Sequence, residues 1–83
     1  MIGYQNNGNK IKILNAKNEE EGIRAEHHLL NFAFSVMNLE YRILEQIVEH
    51  KTDGRVIDNV LVYSNENKVY EFWFDITDFY GRI

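Results

Sequence analysis

The sequence predicts an α+β domain: an antiparallel sheet of about five strands packed on one long helix, in the order ββαβββ with a short C-terminal helical turn. Three observations carry this expectation. Runs near both ends alternate apolar and polar residues with the period of two that a half-buried strand requires. The segment after Asn18 changes to the three-and-four spacing of an amphipathic helix. The pairs Asn7–Gly8 and Asp53–Gly54 stand between alternating runs, where hairpin turns need residues tolerant of positive φ.

The first strands come from Ile2 and Tyr4, then Ile11 and Ile13 between Lys10 and Lys12. A two-residue turn at Asn7 and Gly8 sets Tyr4 opposite Ile11 and Ile2 opposite Ile13. Asn18 is a good N-cap, and Glu19, Glu20 and Glu21 fall in the first turn, where the positive end of the helix dipole favours carboxylates. The apolar positions Ile23, Leu29, Leu30, Phe32, Ala33, Phe34, Val36 and Met37 form a stripe wide enough to lie on a sheet. Asn38 is placed to end the helix in the left-handed conformation.

Leu39 to Lys51 supports two readings. Ile23, His27, Leu30, Phe34, Met37, Tyr41, Leu44 and Val48 fit one long helix reaching about His50. The strand reading is preferred, because a long helix leaves the C-terminal hairpin too little sheet to bury its apolar faces. As a strand, the segment puts Tyr41, Ile43 and Ile47 on one face, and an Asp53–Gly54 turn aligns Ile47 with Val60 and Glu45 with Val62. Val56–Tyr63 and Lys68–Ile76 then pair through Asn65, Glu66 and Asn67, with Asn67 left-handed, setting Val56, Val60 and Val62 against Ile76, Phe72 and Tyr70. Thr77 to Gly81 reads as one helical turn, capped by Thr77 and stopped by Gly81, that folds Phe79 and Tyr80 back on the sheet.

Eighty-three residues make a single domain, 1–83, whose one core is small enough that self-association is a natural supplement. There is no cysteine, so disulfides and thiolate metal sites are excluded. Nine Lys and Arg against 13 Asp and Glu give a net charge of −4, which repels a phosphate backbone and argues against nucleic acid as a partner. No apolar run approaches the roughly 20 residues that span a bilayer, and the N-terminus lacks a leader pattern, so no membrane association and a cytoplasmic location are expected.

Chemistry-bearing residues are sparse. His27 and His28 are adjacent on the helix and point about 100° apart, so they cannot chelate one ion, and no metal or cofactor is expected. Asp58, Glu71, Asp75 and Asp78 read as a solvated rim that discourages edge pairing. Ser35 and Ser64 have no neighbouring histidine and acid, so no catalytic residues are assigned.

The group that stands out is Leu61, Tyr63, Val69 and Trp73. Alternation puts these on the face opposite Phe72, Tyr70 and Ile76, so if the helix covers the Phe72 face they are either shielded by the chain's own ends or offered to a partner. The expected function is a small non-enzymatic protein-interaction module, a regulator or inhibitor of another protein, self-associating as a homodimer through these four residues or the helix. The alternative is a small-ligand binder or minor enzyme with an aromatic pocket between sheet and helix and Glu26, His27 or Asp75 at its mouth, a demanding use of so short a chain.

Overall fold

The computed structural model describes residues 3–7, as backbone, and residues 10–81 in full. Its elements are β1 (Gly3–Asn7), β2 (Lys10–Leu14), α1 (Glu19–Val36), β3 (Tyr41–His50), β4 (Val56–Ser64) and β5 (Val69–Asp75). The helix packs on a mixed sheet of four strands, which lie in the spatial order β2-β5-β4-β3 and follow the chain order βαβββ. The backbone of β1 pairs antiparallel with the outer side of β2.

The sheet is mostly antiparallel, but β2 and β5 are parallel, which corrects the expectation of an antiparallel sheet. The reason is a count of reversals. α1 turns the chain back once and the loop into β3 turns it again, so β3 runs like β2. The two hairpins of the β3-β4-β5 meander then return β5 to that same direction, and β5 can sit beside β2 only in parallel.

The first hairpin also differs in register. Tyr4 lies opposite Ile13, and Asn6 opposite Ile11, a slip of two residues, which preserves the parity of the pairing. Ile2 and Gly8, on which the expected pairing and turn relied, lie outside the described residues.

The helix begins and ends as its caps dictate. The Asn18 side chain accepts a hydrogen bond from the Glu21 N–H at 3.0 Å. At the other end Asn38 is left-handed at φ 57°, with Leu39 N–H bonding Phe34 O at 2.9 Å and Asn38 N–H bonding Ser35 O at 3.0 Å, the paired closure of a Schellman motif. Gly22, Glu26, Leu30 and Phe34 are buried along one i,i+4 ridge. Gly22 is required there because a Cβ would overlap the Phe79 ring.

Within Leu39 to Lys51, Tyr41–His50 is strand, not helix. The β4–β5 register is the expected one, with Val60 opposite Phe72 and Val62 opposite Tyr70, and Asn67 is left-handed at φ 63°. The β3–β4 register is not. Its turn closes one residue earlier, with Lys51 N–H bonding Arg55 O at 2.8 Å and Gly54 at φ 91°, and a bulge falls between Ile43 and Glu45. Beyond this extra residue the faces exchange: Tyr41, Ile43, Gln46, Val48 and His50 share the helix-side face of Val60, while Ile47 joins the opposite face. The expected common face of Tyr41, Ile43 and Ile47 is therefore broken at Ile47.

Residues 77–81 are hydrogen-bonded turns that close one i,i+4 turn without continuing as a helix, and Thr77 does not cap it. Both Phe79 and Tyr80 N–H groups bond Ile76 O, and Thr77 is occupied elsewhere: its hydroxyl accepts from Val56 N–H at 2.9 Å and donates to Asp75 Oδ1 at 2.6 Å. Phe79 does enter the core, whereas Tyr80 packs edge-on against His50 with ring centroids 5.2 Å apart.

Candidate functional site

The helix covers one face of the sheet, with Leu30 and Phe34 packed among Ile13, Val60, Val62, Phe72 and Phe74. Phe34 anchors this contact by stacking on Tyr41 at 4.8 Å and meeting Tyr70 edge-on at 5.2 Å. Among the described residues no helix or strand is layered on the other face.

All four residues expected to form an interaction surface lie on that second face, where Trp73 opposes Asn59, Leu61 opposes Glu71, and Tyr63 opposes Val69. Their exposure is graded. Val69 is 58% exposed, while Leu61, Tyr63 and Trp73 are half-buried. Polar contacts border and cross the patch: the Arg42 guanidinium lies 5.5 Å from the Tyr63 ring centroid, the Tyr63 hydroxyl donates to Asn67 Oδ1 at 2.7 Å, and within the patch Asn59 Nδ2 donates to Glu71 Oε2 at 2.9 Å.

Other exposed apolar side chains lie elsewhere. On α1, Phe32 is 64% and Val36 70% exposed. On β3, the sheet edge opposite β1, Ile43, Leu44, Ile47 and Val48 are 38 to 46% exposed. The alternation of those β3 residues marks a strand but carries no information on how far the helix reaches. One helix is about 10 Å wide with its side chains, whereas four strands about 4.8 Å apart are wider, so one edge must remain uncovered.

A buried acid pair was also missed. Glu26 is 2% and Asp58 3% exposed, so Asp58 does not belong to a solvated rim, and Glu26 is not at a pocket mouth. Asp75 is not there either, because its carboxylate is engaged by the backbone N–H and hydroxyl of Thr77. Asp58 Oδ2 accepts from Gln46 Nε2 at 2.6 Å. With both carboxyls ionised Asp58 Oδ1 has no donor, and protonating Glu26 supplies one. Burial first, then the hydrogen bond and the like charge of Asp58, push the Glu26 carboxyl up from its ordinary 4.5 to about 9. At neutral pH Glu26 therefore keeps its proton where α1 meets β4. The signal was legible in part: Glu26 is four residues from both Gly22 and Leu30, and Asp58 alternates with Val56 and Val60.

The described residues contain no group of three His, Asp or Glu placed to hold a metal ion, and His27 and His28 are both exposed. A shallow groove of about 510 Å³ lies where the helix C-terminus meets the start of β3, bordered by Asn31, Asn38, Tyr41 and Asn65. Neither Glu26, His27 nor Asp75 lines it. No described helix is long and apolar enough to cross a membrane.

Compared with known proteins, the chain matches no family model, no curated protein and no solved structure.

Proposed function

We propose that the chain is a small non-enzymatic protein-interaction module, a regulator or inhibitor that docks another protein on the open face of its sheet and associates with itself. The observation that carries this reading is the second face, on which no described helix or strand is layered and where Leu61, Tyr63, Val69 and Trp73 lie on two neighbouring strands, with Glu71 between Val69 and Trp73 and with Arg42 and Asn67 beside Tyr63. Aromatic anchors interleaved with a few hydrogen-bonded polar groups are common in protein-binding patches. The half-burial of Trp73 suits such a role, since a ring already held by its neighbours loses little freedom on binding. The N-terminal hairpin belongs to this reading: as a full ββαβββ unit, the module has its β2 edge closed by β1 and its β3 edge open. A cytoplasmic setting is part of the same proposal.

The test is a random peptide library selected on the wild-type chain and counter-selected on Trp73→Glu. Enriched peptides are expected to shift the amide signals of Leu61, Tyr63 and Val69 and the single tryptophan indole. Selected peptides that leave all four signals in place would remove the open face from consideration. Shifts confined to Asn31, Asn38 and Asn65 would instead favour the second reading, ligand binding between helix and sheet, whose one supporting feature is the groove bordered by those amides.

A further inference from the structure

We infer that β3 is a self-recognition edge: two copies of this chain pair their β3 strands antiparallel about a two-fold axis through Gln46, making one continuous sheet. The inference rests on the reading of the chain as an interaction module and names one partner for it, a second copy.

An edge strand presents a row of unpaired N–H and C=O groups that another chain can pair with, unless the edge is short or its bulges and charges oppose every register. β3 is ten residues long, the longest strand of the sheet, and every residue after Tyr41 is exposed. Its charges, Arg42, Glu45 and Glu49, all lie on the open face, and its helix-side face carries Tyr41, Ile43, Gln46, Val48 and His50.

The bulge at Leu44 decides which registers are acceptable. With that extra residue kept in both copies, an axis at Gln46 sets Glu45 opposite Ile47, Ile43 opposite Val48, Arg42 opposite Glu49, and Tyr41 opposite His50 of the second copy. Every one of these pairs joins residues of the same face, as antiparallel pairing demands. The apolar pair Ile43 and Val48, 38% and 41% exposed in the single chain, occurs twice, and so does the opposite-charge pair Arg42 and Glu49. Moving the axis one residue to Glu45 sets that carboxylate against its own copy. Moving it to Ile47 sets Glu45 against Glu49 and Arg42 against Lys51. Charge complementarity thus selects the Gln46 register over its neighbours. Gln46 is itself held by its hydrogen bond to Asp58, which fixes the side chain at the axis.

Because the axis is perpendicular to the sheet, both helices fall on one side and both open faces on the other. The dimer would offer a doubled docking surface instead of hiding it.

Sedimentation velocity on the full chain, with charge reversals, tests this. The wild type should be dimeric at about 100 µM, Arg42→Glu or Glu49→Arg should each weaken the dimer about tenfold or more, and the double reversal should restore most of the loss. Trp73→Glu should leave it intact. In the wild type, β3 amides should gain exchange protection with concentration, which needs no variant. A monomer at the highest concentration overturns the inference and leaves the open-face reading standing. A dimer dissolved by Trp73→Glu but indifferent to the reversals also overturns it, and moves self-association to the open face.

Discussion

β3 and β4 are hydrogen-bonded neighbours of ten and nine residues, both rich in Ile, Leu and Val, and their burial is opposite. Val56 through Val60 are all buried, including Asp58 and Asn59, whereas every β3 residue but Tyr41 is exposed. Composition and alternation decide whether a segment becomes a strand. On the helix side, what decides burial is position relative to α1, which sits over Val56, Val60 and Val62 and leaves β3 outside its width, whereas Ile57 and Asn59 are buried on the opposite face, where β4 lies between β3 and β5. Two strands that read alike in the sequence therefore serve different ends: β4 holds the fold together, and β3 is left available.

The largest effect expected on the covered side is at Phe72, opposite Val60 and beside Phe34 and Phe74. Phe72→Ala should cost about 3 to 5 kcal/mol through the cavity it leaves, a large share of the stability of so small a domain. Chemical denaturation reads this directly. A midpoint close to that of the wild type would mean that the helix does not bury this face.

Next is the acid pair, which fastens α1 to β4. Glu26 is protonated in the fold up to about pH 9 and ionised in the unfolded chain above its ordinary 4.5. The folded state therefore binds the extra proton, and its contribution to stability is complete below the unfolded value and lost as pH rises toward 9. The slope is at most about 1.4 kcal/mol per pH unit. Glu26→Gln keeps a donor for Asp58 Oδ1 without the titration. Its stability relative to wild type should improve by about 2 to 3 kcal/mol between pH 6 and pH 8. Parallel pH profiles of the two proteins would show that Asp58 and Glu26 are not coupled.

These two sites also mark how much was legible beforehand. The β4–β5 register and the placement of Phe72 followed from alternation and the Asn65–Asn67 loop, because turn chemistry and side-chain parity are local. The parallel β2–β5 pair, the exposure of β3 and the burial of Asp58 were not read, because each depends on which distant elements become neighbours. The Leu44 bulge lies between: nothing in Ile43–Leu44–Glu45 marks an extra residue, yet it moves Ile47 to the other face. Of the site, the face shared by Leu61, Tyr63, Val69 and Trp73 was legible, and the open β3 edge beside it was not.

Gly22→Ala should have a smaller effect than either change above, about 1 to 3 kcal/mol destabilising despite the better helix propensity of alanine, because its methyl displaces the Phe79 ring. A stabilised variant in thermal unfolding would show that the 77–81 turns do not pack against α1.

The smallest effect is the sharpest test of the comparison. Val62→Thr and Val48→Thr make the same chemical change on the helix-side face of paired strands, at 0% and 41% exposure. At Val62 the hydroxyl enters a closed apolar cluster and should cost about 1 to 3 kcal/mol. At Val48 it meets water, and threonine retains the β-branch that suits a strand, so the change should stay within about 0.5 kcal/mol when unfolding is measured at low micromolar concentration. Raising the concentration should leave the Val62 difference as it is. The Val48 difference should grow, because pairing of β3 edges would stabilise only the chain whose Val48 still meets Ile43 of a second copy. Equal costs at Val48 and Val62 at every concentration would show that β3 is as covered as β4, and would close the edge to any partner.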